Sequence, residues 1–338
     1  MRTIFGVSAM IAVLAACSPQ ASAPKGPSAE VIAKTSADLT AYLDAEYEEE
    51  LLDSPEEMTS QGRKDRYGEL DDRSEAGADK RLEWRRQSVA DMKAKFDPAN
   101  LSEDAKLSFE VWELELKRAE ESAKWRRNRY VFSRGSAPTG LPNFVINFHR
   151  VDEKSDMEAY ISRVGLFDEA LDQLLVRAKA AQADGIHMPT FTYDQSLSEI
   201  KRVTTGAPFT KGKDSALFAD AKAKITTLRD SGKITPVEAK EFETEVSDTM
   251  TQQMKPAYDR VAAFLAEDKP KGQKPDKQGA QALPNGTEFY NAALYLSTTT
   301  DMTADEIHEL GLAEVARLRG EMEKVKEQTG FKGTLEEY

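Results

Sequence analysis

The chain has 338 residues, with 46 Lys and Arg against 59 Asp and Glu and a net charge of −13 at neutral pH. Hydrophobic residues make up 40% and charged residues 31%, a balance that excludes a collagen-like or wholly disordered chain and is enough for a sizeable buried core. So acidic a body repels phosphate backbones and disfavours nucleic acid as a partner, and a single cysteine, Cys17, leaves no intrachain disulfide to form.

The N-terminus carries Arg2 and then an uncharged stretch from Ile4 to Ala16, 13 residues long, against the roughly 20 that a bilayer span needs. Residues 1–16 therefore read as a cleaved export leader. The leader ends in Leu14-Ala15-Ala16-Cys17, which resembles the bacterial lipobox and makes Cys17 the expected lipid attachment site. Residues 17–28 are rich in Pro, Ser and Gly and serve as a flexible tether. The expected product is an exported, membrane-anchored lipoprotein of the bacterial cell envelope facing the periplasm, held stably because several acyl chains bind where one would not.

Residues 29–338 read as one helical domain, a mainly α, multi-helix array. Leu39, Tyr42, Leu43, Tyr47 and Leu51 share one helical face, and Leu82, Val89, Met92 and Phe96 repeat the pattern until Asp97-Pro98 stops it. Leu107, Val111, Leu114, Trp125 and Tyr130 mark a third, longer helix, with Glu120 supporting Lys124 four residues on. Pro138, Gly140 and Pro142 break the chain, and Phe144 to Phe148 is the one run with a claim to be a strand or a buried loop. Met157, Tyr160, Ile161 and Val164 form a further helix, as do Phe167, Leu171, Leu174, Leu175 and Ala178 before Gly185 and Pro189. Thr235-Pro236-Val237-Glu238 and Thr303-Ala304-Asp305-Glu306 are two capping boxes; after the second, Ile307, Gly311, Val315, Leu318, Met322 and Val325 line one face of a long helix. The basic, Pro/Gly-rich stretch from Lys269 to Gly279 has no aromatic residue on which a base could stack and reads as a solvated loop.

Searches for chemistry return little. Zinc needs three or four converging ligands, and the chain holds only His149, His187 and His308, far apart in sequence. His308-Glu309-Leu310-Gly311-Leu312 approaches a His-Glu-x-x-His helix, but position 312 is Leu. There is no Gly-x-Ser-x-Gly elbow, and Gly206 to Asp214 misses the phosphate-loop pattern, with Asp where Ser or Thr should hold magnesium. The Glu48-Glu49-Glu50 and Asp71-Asp72 runs read as solvated helix faces, and Trp84, Trp112 and Trp125 as core. No residue is assigned a catalytic, cofactor-binding or metal-binding role.

Ser54-Pro55-Glu56-Glu57-Met58-Thr59, Leu70-Asp71-Asp72-Arg73-Ser74, Gly185-Ile186-His187-Met188-Pro189, Leu283-Pro284-Asn285-Gly286 with Phe289-Tyr290, Thr298 to Thr303, and Glu306 to Val315 resemble the bacterial domain-of-unknown-function family 885 (DUF885). The resemblance spans roughly residues 40 to 338. It implies a helical protein similar in architecture to zinc peptidases of the gluzincin group, often exported as a lipoprotein, with zinc and a peptide substrate in the complete molecule. The family's His-Glu zinc segment lies beyond the stretches matched here. The expectation is thus the N-terminal part of such a peptidase, inactive alone; the alternative is a non-enzymatic helical envelope lipoprotein, a scaffold or binding module.

Overall fold

In the computed structural model, which describes residues 26–338, the first helices are α1 (Ala29–Leu52), α2 (Pro55–Ser60), α3 (Glu75–Lys95) and α4 (Glu103–Lys124). The leader, Cys17 and most of the tether lie outside the described residues. Serine caps start three of these helices: Ser28 accepts from the Val31 N–H, Ser74 from Gly77 and Ser102 from Ala105, each satisfying an amide that a helix start leaves open. α1, α3 and α4 close on a small core of Leu39, Met92, Leu101, Ala105 and Phe109. Here the expected inner face of α4 is wrong. Leu107 is 61% and Val111 46% exposed, because Ala105, Phe109 and Trp112 face the core instead. Likewise Glu120 reaches across to Arg86 of α3, and Lys124 pairs with Glu121.

The larger core is built by α5 (Ala137–Phe148), α6 (Lys154–Gly165), α7 (Phe167–Ala183), α8 (Thr190–Val203), α9 (Ala216–Asp230), α10 (Pro236–Thr249) and α11 (Lys255–Asp268). α9 packs on α10, α11 on α7 and α8, and α5 on α8. Met157, Tyr160, Val164, Phe167 and Leu171 are buried as their spacing predicts, and Thr235 and Glu238 bond reciprocally at the head of α10.

The run from Phe144 to Phe148 is neither strand nor loop but the end of α5. Pro138 sits in the first turn, where its missing N–H costs nothing. Pro142 lies inside the helix and cannot donate to the Pro138 carbonyl four residues back; the buried Tyr258 hydroxyl of α11 donates to that carbonyl instead, at 2.7 Å. A π turn at Met250–Met254 joins α10 to α11 with both methionines fully buried. Within the Lys269–Gly279 stretch the lysines at 271, 274 and 277 are exposed as expected, but Gln273 is buried and pins the segment.

Two helices complete the chain, α12 (Gly286–Thr298) and α13 (Ala304–Gln328). The second capping box forms at Thr303 and Glu306 as read, yet α13 buries no residue: Leu310, Leu312, Val315, Leu318, Met322 and Val325 are 47–66% exposed. Among the described residues there is no strand, and no helix is long and apolar enough to cross a membrane.

Candidate functional site, a cationic cleft

Trp84-Arg85-Arg86 in α3 and Trp125-Arg126-Arg127 at the end of α4 concentrate cations at one place in an acidic protein. Between α1, α3, α4 and α7 lies a cleft of about 560 Å³, within the ~300–1,000 Å³ of small-ligand pockets. Its lining carries Lys80, Arg81, Arg85, Arg126, Arg129 and Arg177 against Glu49, Glu50 and Asp53, on a wall that includes Leu52, Leu82, Trp84 and Ala119. Trp84 is thus part of the cleft wall rather than of the core.

Most of these charges are already paired. Arg85 stands against the Trp84 and Trp112 rings, 5.5 and 5.4 Å from their centroids, and bonds to Glu50. Arg126 bridges Glu75 at 2.6 Å and Asp79 at 2.8 Å, Arg177 meets Glu75 at 3.1 Å and Lys80 meets Asp53 at 2.6 Å. Arg81 comes only within 3.9 Å of Asp53. Arg129, exposed at the rim, has no ion-pair or side-chain hydrogen-bond partner among the described residues, and neither has Glu49.

The family-like motifs hold this cleft in shape. Asn128 donates to the Pro284 carbonyl at 3.3 Å, the Trp125 ring lies 5.9 Å from Phe289, and Gln273 donates to the Tyr130 hydroxyl at 2.9 Å. Leu283 packs with Ala181 and Ile186. Asn285 takes the left-handed conformation at φ 50°, and a Cβ at Gly286 would fall 1.8 Å from the Ala280 carbonyl oxygen, so only glycine fits there. The Leu-Pro-Asn-Gly and Gly-Ile-His-Met-Pro stretches therefore meet behind the turn that presents Arg126 and Arg129.

The Ser54–Thr59 and Leu70–Ser74 motif stretches also meet each other. The Glu56 amide donates to Asp71 and the Asp71 amide to Glu56, both at 3.1 Å, and Arg73 closes on Glu56 at 2.8 Å. Asp71 is therefore no solvated helix face; burial first, then Glu56, raises its pKa. Arg163, 0% exposed, secures the same segment through the Glu69 carbonyl at 2.8 Å, the Pro55 carbonyl at 3.2 Å and the Thr59 hydroxyl at 2.6 Å.

The three histidines lie in three different settings. His149 is buried with Nε2 against the Asp156 carbonyl at 2.9 Å and Nδ1 against Arg163 at 3.0 Å; Nδ1 must accept from the guanidinium, so the ring is neutral and carries its proton on Nε2. Burial, joined by the Arg163 charge, pushes its pKa down to about 4. His187 Nδ1 lies 3.0 Å from buried Asp268, which also accepts from Gln182 at 2.6 Å and from the Tyr193 hydroxyl. Burial pushes the Asp268 carboxyl up, but those hydrogen bonds outweigh it and leave the pKa lowered. His308 is exposed on α13. Among the described residues no three His, Cys, Asp or Glu side chains converge as a metal ion requires, so these residues do not fit the zinc that the resemblance implies.

The fold and cleft define a helical array that frames a ligand-sized, cation-rich recess. The chain belongs to the family described as bacterial protein of unknown function (DUF885), whose model matches residues 55–338. Its fold is similar to that of the putative lipoprotein from Colwellia psychrerythraea, with a TM-score of 0.67 at 17% identity, over 90% of this chain and 53% of that one. The chain thus spans about half the length of that protein. No curated protein matches the chain.

The cleft arginines were missed by the sequence reading. The signal available for Arg85 and Arg126 was the pair of Trp-Arg-Arg runs; Arg81, Arg129 and Arg177 lie outside those runs.

Proposed function

We propose that the chain is the helical N-terminal part of an exported, lipid-anchored protein that binds and hydrolyses peptides, with zinc chemistry supplied by polypeptide outside these 338 residues. The observation that carries this reading is α13: a helix whose apolar stripe is exposed from Val315 to Val325 needs further protein against it, and the Colwellia protein has about as much chain again. That relative's lipoprotein name supports an anchor at Cys17 and a place in the cell envelope. The cleft supplies a recess of a size for a short peptide.

The test is the native protein purified from its source. The reading expects a polypeptide longer than 338 residues, stoichiometric zinc and peptide cleavage that a chelator abolishes, while the 338-residue chain alone shows neither zinc nor cleavage. A native product ending at Tyr338 that is stable and binds no metal would refute it in favour of a non-enzymatic helical scaffold. Stoichiometric zinc on the 338-residue chain would refute it equally.

A further inference from the structure

We propose that the cleft between α1, α3, α4 and α7 binds the free carboxylate end of a short peptide through Arg129 and Arg81, with Glu49 receiving a cationic group of the same ligand. This inference rests on the peptide-handling reading and names the recognised group. It follows from counting which charges the fold already uses. Of six cations lining the cleft, four have an acid at 3.1 Å or closer, on Glu50, Asp53, Glu75 or Asp79. Among the described residues Arg129 has none and Arg81 has Asp53 only at 3.9 Å. A guanidinium presents a planar fork of donors that matches a carboxylate, which makes it the expected partner for a peptide terminus.

The cleft also selects against other anions. Glu49 lines the same recess without a cationic partner among the described residues, so a polyanion such as a nucleotide phosphate chain that extended onto it would meet like charge. A zwitterion does not: its carboxylate goes to the unpaired Arg129 and its ammonium to the unpaired Glu49. The same recess presents Leu52, Leu82, Trp84 and Ala119 to small apolar side chains of the ligand. The motif contacts at Trp125, Asn128 and Tyr130 hold the turn that carries Arg129, so its backbone needs no rearrangement to receive ligand.

Isothermal titration calorimetry on the purified chain tests this with trialanine, trialanine amide, N-acetyl-trialanine and succinate. Trialanine is expected to bind at least about tenfold more tightly than its amide, the worth of a charge-assisted carboxylate contact, and several-fold more tightly than its N-acetyl form. Arg129→Gln, at an exposed position, is expected to remove the acid-over-amide preference while leaving the circular dichroism spectrum unchanged, and Arg81→Gln to reduce it. Equal binding of acid and amide, or a preference that survives Arg129→Gln, overturns the carboxylate assignment and leaves the peptide reading standing. Tighter binding of succinate than of trialanine assigns the site to a free small acid and overturns the peptide terminus as ligand. Absence of binding by any tripeptide at millimolar concentration removes the cleft as a site, whereas the peptide reading itself stands or falls on the mass, zinc content and cleavage of the native protein.

Discussion

Replacing His149 by Gln should flatten the acid side of the protein's stability profile. The imidazole is buried between an acceptor, the Asp156 carbonyl, and a donor, Arg163. Folding therefore selects its neutral form, and burial lowers its pKa from 6.5 to about 4. Above the unfolded value the ring is neutral in both states and the contribution of the site is complete. As pH falls from 6.5 toward 4 the unfolded chain takes up a proton that the folded chain refuses, and stability is lost across that window. At about 1.4 kcal/mol per pH unit, the full depression is worth about 3 kcal/mol. Gln can offer an N–H to Asp156 and an oxygen to Arg163 but does not titrate. Urea unfolding of both proteins, followed by circular dichroism at about pH 7.5 and about pH 4.5, isolates the effect, because the carboxylates that also titrate are common to both. The wild-type protein should lose about 2–3 kcal/mol more than His149→Gln over this range. Equal losses would refute the assignment of His149 as a neutral, fully bonded ring.

Three further outcomes follow from the packing. Arg163→Met should cost about 3 kcal/mol or more in urea unfolding, because it strands the Glu69 carbonyl and His149 Nδ1 without a donor and takes one from the Thr59 hydroxyl, while the Pro55 carbonyl keeps the Thr59 hydroxyl; a loss under about 1 kcal/mol would show that the Glu69 carbonyl and His149 have other partners. Tyr258→Phe should cost about 1–3 kcal/mol by leaving the Pro138 carbonyl unmet, and Pro142→Ala in the same chain should restore part of it by supplying the missing N–H; additive losses in the double-mutant cycle would rule out that exchange of donors. Leu318→Glu on the exposed face of α13 should change unfolding stability by no more than about 0.5 kcal/mol while lowering self-association in sedimentation velocity, and a large destabilisation would mean that α13 is packed in the isolated chain.

What could be read in advance was what depends on a few neighbours in sequence. The Thr235 and Thr303 capping boxes form as written because a cap is a contact over three residues. The inner face of α4 was not legible, since Leu107 and Val111 compete with Ala105, Phe109 and Trp112 at equally helical spacings and only the positions of α1 and α3 decide between them. Nor could the Phe144 to Phe148 run be placed, because a short apolar run does not declare its period and the donor that lets α5 tolerate Pro142 comes from Tyr258, 120 residues from the carbonyl it serves. The α13 stripe declared its helix correctly, but periodicity specifies a face and says nothing of what covers it.

The same distinction explains why the chain's most recognisable motifs contain none of the cleft's charged groups. Asn285 and Gly286 are needed for a left-handed residue and a close backbone approach, and Glu56 and Asp71 for a reciprocal clasp; each demand fixes residue identity tightly within a short segment. A cleft charge is specified differently. Arg129 needs only to project from a turn held at a defined place, and that place is set by Asn128 and Trp125 bonding and packing on residues 284 and 289. Backbone-defining motifs and ligand-facing cations are thus two layers of one device, in which the first gives the second its geometry. On this account a substitution at Gly286 should weaken trialanine binding without touching the cleft, by displacing the turn that carries Arg129.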